Sequence, residues 1–263
     1  MHPRPLLAPG LRVVRRGLDH LQVGLYDGRR VLLPRSESVR HTLALLLEGG
    51  ALVADQDPAG AAVLDALDQN GCLTWDRPRA GRPAVAVLGR FEIPGLPDVG
   101  ELLGAAEVAI TSSTSHADVV LVLKAGEIDR DHLDPLIRSR TSHLVVRLVD
   151  GSAVLGPFVV PGTTACLRCI DAHQTVHDPD HVAVTTRYVR ATDSARPDGV
   201  PDLDPALTSV ALSWAVRDIV AHLEGRQPST WSRTVQLGAE PVQRREQAWL
   251  RHPQCGCCWP AES

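Results

Sequence analysis

Two groups of closely spaced cysteines carry the strongest chemical signal in this 263-residue chain. Cys166-Leu167-Arg168-Cys169 is a C-x-x-C, a spacing that lets two thiolates reach one tetrahedral ion from a tight turn. Near the end of the chain, Cys255-Gly256-Cys257-Cys258 offers a C-x-C (Cys255 with Cys257) or a C-x-x-C (Cys255 with Cys258). Gly256 permits the sharp backbone bend of a metal knuckle. Together the two groups supply the four sulfurs of a closed structural zinc site without an open catalytic position. Spacing leaves open whether Cys257 or Cys258 is the fourth ligand. Two other readings compete: a redox C-x-x-C, which has no use for the tail cluster, and cysteines unconnected with one another. Cys72 stands apart and reads as a core cysteine. His252, beside the tail cluster, reads as structural.

Other candidate residues are weaker. His173, His177 and His181 recur every four residues, a metal-binding spacing on a continuous helix. Asp178-Pro179 is expected to end the helix between them, leaving exposed polar residues that enter a loop. Ser112, Ser113, Thr114 and Ser115 lack a G-x-S-x-G elbow and read as a loop. Arg12, Arg15, Arg16, Arg29 and Arg30 fall on expected strands, either as solvated faces or as a contact surface for an acidic peptide.

The elements that must position these residues follow from composition and pattern. Hydrophobic residues make up 44% and charged residues 22%, ordinary values for a globular protein. Aromatics are only 3%, so Leu, Val and Ala must fill the core, and Lys124 is the only lysine. A formal net charge of −4 gives no general attraction to nucleic acid or to an anionic membrane. No stretch approaches the roughly 20 apolar residues of a membrane span, and the N-terminus shows no secretory signal. The expected location is the cytoplasm, where paired cysteines read as metal ligands before disulfides.

Residues 1–76 predict a small winged-helix-like module. Three short strands lie in 11–17, 21–28 and 29–34, with a turn at Asp27-Gly28. A helix capped by Ser36 or Ser38 runs to Gly49-Gly50, a second opens at Asp57-Pro58, and CLTW closes the module as a strand. The Pro/Gly/Arg-rich segment DRPRAGRP marks a boundary. Beyond it, in 83–263, the apolar runs AVAVLG, ADVVLVL and HLVVRLV alternate with helix candidates, which predicts an α/β domain with a mostly parallel sheet. One helix is expected over 129–140, an irregular segment over GPFVVPG, a loop over 189–205 and a long helix after Asp204-Pro205. WSRTVQLG reads as a strand.

GPFVVPGTTACLRC and HPQCGCC resemble the ThiF-type relatives of ubiquitin-activating enzymes. More narrowly, they resemble the cyclodehydratase-like, leader-peptide-binding proteins of thiazole/oxazole-modified peptide biosynthesis. The resemblance spans most of the chain. It implies a Rossmann-like domain with a four-cysteine zinc knuckle and an N-terminal peptide-recognition module. Nucleotide binding in that family needs a Gly-rich turn after the first strand, so that backbone N–H groups can approach phosphate. Here Gly89 is followed by Phe91, Glu92, Ile93 and Pro94; Pro94 lacks an N–H and Glu92 adds negative charge. The family's ribose-binding acid is missing from VAITSSTS, and Lys124-Ala125-Gly126-Glu127 stands where its Asp-rich magnesium turn would be.

The resulting expectation is a degenerate ThiF-like domain with structural zinc, no ATP and no catalytic residues of its own. A precursor leader peptide is expected to add as a strand beside Arg29, Arg30, Val31, Leu32 and Leu33, with side chains entering a groove near Leu64 and Leu67. The α/β domain would dock a partner biosynthetic enzyme or a second copy of itself. The competing expectation is an ATP-dependent adenylating or cyclodehydrating enzyme. DNA binding is disfavoured because the helices around Ala44–Leu47 and Ala61–Leu67 carry few basic residues.

Overall fold

A computed structural model describes residues 4–48, 58–76, 81–91, 93, 98–193, 204–238 and 244–257. The chain divides into two compact units, Met1–Ala80 and Gly81–Ser263.

In the first unit, β2 (Val13–Arg16), β3 (His20–Val23) and β4 (Val31–Pro34) form an antiparallel sheet in the order β2-β3-β4. Helix α1 (Glu37–Glu48) starts where the Ser36 hydroxyl accepts the Val39 N–H at 3.3 Å. Helix α2 (Pro58–Gln69) begins on proline, which has no N–H to leave unpaired. β1 (Arg4–Leu7) pairs antiparallel with β5 (Leu73–Asp76). The core joins Val23, Val31, Leu33, Leu43, Leu46, Val63, Leu67 and Cys72.

The second unit is a mixed α/β structure around a seven-stranded sheet of order β12-β11-β10-β9-β8-β6-β7. β6 (Ala84–Leu88), β7 (Ala109–Thr111), β8 (Val119–Ala125) and β9 (His143–Val149) run parallel. β10 (Ser152–Val159), β11 (Arg233–Leu237) and β12 (Arg244–Ala248) extend the sheet antiparallel. The central strands are apolar on both faces because both are covered. On one face, Leu121, Leu144 and Val146 pack with Leu103 of α3 (Val99–Ala105) and Ile219 of α7 (Pro205–Leu223). On the other, Val120, Val122 and Val145 pack with Leu136 of α4 (Asp134–Arg138) and Ile170 of α5 (Leu167–Thr175). Helix α6 (His181–Asp193) follows α5. Among the described residues no helix is long and apolar enough to cross a membrane.

Several local expectations are corrected. The helix expected over 129–140 is a 3-10 turn at Arg130–His132 followed by α4, because Pro135 starts a helix rather than continuing one. GPFVV is partly strand: Gly156 to Val159 belong to β10, although its pairing with β9 shifts register between Leu155 and Phe158. The loop expected from 189 is helical to Asp193; among the described side chains of α6 only Val189 is buried, so its periodicity is faint, while Tyr188 anchors it through a 2.9 Å bond to Asp150. β12 escaped pattern reading because every residue in RREQA is exposed and it is held by pairing with β11. Such a charged edge strand also resists pairing with other chains.

A buried carboxylate ties α7 to the approach to β11. Asp218 accepts from the Ser229 and Thr230 backbone N–H groups at 2.9 and 2.8 Å and from both hydroxyls. Asp218→Ala orphans four donors and should lower unfolding free energy by about 3 kcal/mol in urea titration with an unchanged m-value.

Candidate functional site

Cys166 occupies the N-cap of α5 and Cys169 its first turn, so the helix itself sets the C-x-x-C spacing. The preceding turn is fixed by two hydroxyls: Thr164 accepts from Val160 N at 2.7 Å and Ser232 from Ala165 N at 2.9 Å. Gly256, at φ 72°, turns the tail so that Cys255 and Cys257 face the helix cysteines. The four sulfurs of Cys166, Cys169, Cys255 and Cys257 lie within 4.8 Å of one another. Individual separations are 3.7 Å for Cys166–Cys169, 3.3 Å for Cys166–Cys255 and 3.5 Å for Cys169–Cys257. A tetrahedron with Zn–S bonds of about 2.3 Å has edges of about 3.8 Å, so the cluster fits one such ion with small adjustments. Cys258 lies outside the described residues.

The cluster's protonation states are interdependent. Hydrogen bonding with Cys166 holds Cys169 and Cys255 below the ordinary thiol range, while Cys166 is pushed up by Cys169 and Cys257 by Cys166. A divalent cation removes this conflict by favouring thiolate at all four positions.

The tail reaches the helix through a series of side-chain anchors. Trp249 donates its indole N–H to Thr234 at 2.9 Å, and its backbone N–H bonds Ser232 O at 2.8 Å. Arg251 donates to Gly162 O at 2.5 Å. His173 meets Leu250 O at 3.0 Å, and its ring meets His252 edge-on at 5.0 Å. His252 thus packs beside the cluster, outside the four-sulfur group. Of the histidine series, His173 is on α5, His177 is in the following turn, and His181 starts α6 beside Asp171 at 3.4 Å. Cys72 is fully buried in the first unit, where its thiol donates to Arg29 O at 3.3 Å and burial pushes its pKa up.

The carboxyl ends of parallel strands are where open α/β sheets bind ligands. A 390 Å³ cavity lies here, lined by Gly89, Phe91, Asp98, Gly100, Ile110 and Leu123. Gly89 has φ 80°, and a Cβ there would run into the Leu123 carbonyl. Glu92 and Pro94 lie outside the described residues. Asp98 caps α3, its carboxylate accepting from Gly100 N at 3.4 Å. Just past β8, Glu127 accepts from Arg147 at 2.6 Å and from Arg130 at 2.6 Å, and Arg130 also grips both oxygens of Asp171 at 2.8 Å. Burial alone would raise the Glu127 pKa, but Arg147 and Arg130 outweigh it and hold the carboxyl at about 2. Sequence reading missed this network because Asp171 is 41 residues from Arg130.

In the first unit, Arg29, Arg30 and Leu32 are exposed, whereas Val31, Leu33 and Leu67 are buried and Leu64 is partly so. Leu67 is wholly enclosed in the core, so it supports the wall beside β4 and has no surface of its own to offer.

The fold has solved counterparts. The heterocyclase TruD matches 98% of this chain with 43% of its own, at TM-score 0.64 and 17% identity. A heterocyclase in complex with substrate and cofactor matches 98% of this chain with 40% of its own, at TM-score 0.62 and 16% identity. MccB of E. coli matches 97% of this chain with 96% of its own, at TM-score 0.54 and 12% identity. The chain has the heterocyclase and MccB fold. It spans less than half the length of the heterocyclases and nearly all of MccB. No family model matches the sequence, and neither does any curated protein.

Two measurements test the site. X-ray absorption on purified protein should give one zinc with sulfur neighbours at about 2.3 Å. Cys166→Ala and Cys257→Ala should each lose the metal and lower Tm by about 10 °C or more, while Cys258→Ala should retain it. For Glu127, the folded pKa lies below the unfolded value, so its stabilisation is present above about pH 4.5 and lost as pH falls towards 2. The stability gap between wild type and Glu127→Gln should therefore close by about 3 kcal/mol across that window in denaturant titrations.

Proposed function

We propose that this chain is a non-catalytic peptide-binding partner in the biosynthesis of ribosomally made, post-translationally modified peptides. Its α/β unit, closed by structural zinc on Cys166, Cys169, Cys255 and Cys257, is a scaffold for a separate modifying enzyme or for a second copy of the chain. The first unit is the winged-helix-like leader-recognition module. The proteins that share the fold support a peptide partner: one heterocyclase was solved with substrate and cofactor, and MccB with MccA and AMPCPP.

The observation that carries the non-catalytic reading is the state of the sheet ends. Asp98 places a carboxylate at the α3 N-terminus, where a phosphate would need free N–H groups, and Glu127 and Asp171 are committed to arginines. A divalent ion or a nucleotide would have to break buried ion pairs to use them, at a cost of about 3–5 kcal/mol.

For the peptide, β4 is an edge strand of the first unit's sheet, with Leu32 48% exposed on it. Leu18, Leu25 and Tyr26 at the neighbouring turns are more exposed still. Such an edge offers backbone hydrogen bonds, and Arg29 and Arg30 add positive charge for an acidic leader.

The 390 Å³ cavity at Gly89 favours one alternative, an ATP-dependent adenylating or cyclodehydrating activity. Thermal shift with ATP and magnesium separates the two: a flat response supports the scaffold, and stabilisation with pyrophosphate exchange supports the enzyme. Calorimetry of the zinc-loaded protein with a precursor peptide encoded beside its gene should show saturable binding. The double variant Arg29→Glu/Arg30→Glu should weaken that binding about tenfold or more for an acidic leader. No heat of binding to the folded protein would remove the peptide-binding role.

A further inference from the structure

Beside the cysteine cluster the second unit holds a 220 Å³ cavity with an unusual floor. Leu133, Ile137 and Leu167 line it together with four charged side chains, among them the exposed Arg138, and with three cysteines of the cluster. Its floor is His143, at the start of β9 and only 1% exposed. The ring's Nδ1 lies 3.0 Å from the Thr141 carbonyl. A carbonyl only accepts, so Nδ1 carries the proton. Burial depresses the His143 pKa to about 4, so the ring is neutral at physiological pH and Nε2 is a bare acceptor. Among the described residues Nε2 meets no hydrogen-bond partner, yet it is not sealed from solvent. Its opening is the cavity the ring lines.

An acceptor reached only by solvent gains a fixed partner from a ligand that supplies a donor. A dry cavity of about 150 Å³ is enough for benzene, so this one admits a substituted ring or a fused bicycle. The three aliphatic side chains favour an apolar body, and the arginines among the lining residues favour an aromatic face.

We propose that this cavity binds a planar aromatic group bearing one hydrogen-bond donor, a phenol or an indole, whose O–H or N–H is donated to Nε2 of His143. The site is separate from the sheet-end cavity and from the β4 edge, and it does not depend on the peptide-binding role. The group can arrive as a free small molecule or as an aromatic residue of a peptide.

The test is nitrogen NMR of the zinc-loaded full chain, following the His143 ring during titration with p-cresol, indole and toluene. The expected result is a saturable upfield movement of the Nε2 resonance with p-cresol or indole, and binding of toluene roughly tenfold weaker because it lacks the donor. N-acetyl-tyrosinamide and N-acetyl-tryptophanamide form the second arm: binding there assigns the site to a peptide's aromatic residue, and binding of the free rings alone assigns it to a small molecule. Ile137→Trp, which fills the cavity away from His143, should abolish the shift while a cobalt-substituted sample keeps its thiolate charge-transfer band. His143→Phe should remove the preference for p-cresol over toluene. An unmoved Nε2 resonance with every probe, or equal binding of toluene and p-cresol to the wild type, overturns the proposal.

Discussion

The second unit depends on a meeting of sulfurs 89 residues apart in the chain, Cys166 with Cys255. Neither cysteine pair is a binding site alone. The helix pair is held by α5, which packs its Leu167 and Ile170 against the sheet, so its two sulfurs are positioned by the core. The tail pair has only a glycine turn and a few side-chain anchors. A metal ion bound by all four thiolates would convert those weak anchors into a closed loop in the native state, where binding free energy becomes folding free energy.

The same face of the sheet shows how polar groups are accommodated near this clamp. Glu127, Arg130, Arg147 and Asp171 form a balanced set of two acids and two arginines, joined by short hydrogen bonds. Buried pairs of this kind add little net stability compared with apolar packing, but breaking one is expensive. The network therefore fixes the path from β8 into α5. The heterocyclase and MccB fold thus supports a sheet end occupied by its own side chains, and fold alone does not carry an activity over. His143 stands on this face as a neutral ring with one open nitrogen.

The first unit follows a different logic. Its core is small and aliphatic, with Leu46 and Leu67 almost completely enclosed, while its turns and outer strand carry Leu18, Leu25, Tyr26 and Leu32 to the surface.

The sequence by itself determined the parts that depend on local pattern. Continuous apolar runs marked β6, β8 and β9, because strands covered on both faces need apolar residues at every position. Asp204-Pro205 marked the start of α7, with the carboxylate accepting from Ala206 and Leu207 N–H. Cysteine spacing marked the two halves of the four-sulfur cluster. What depends on partners distant in sequence was decided by the tertiary structure. Strand β12 is legible only from its pairing with β11, and α6 only from its anchors, since neither has a strong apolar face. The union of the two cysteine pairs belongs to the same class: spacing offers four sulfurs, but only the packing of α5 and the path of the tail bring Cys166, Cys169, Cys255 and Cys257 within reach of one ion.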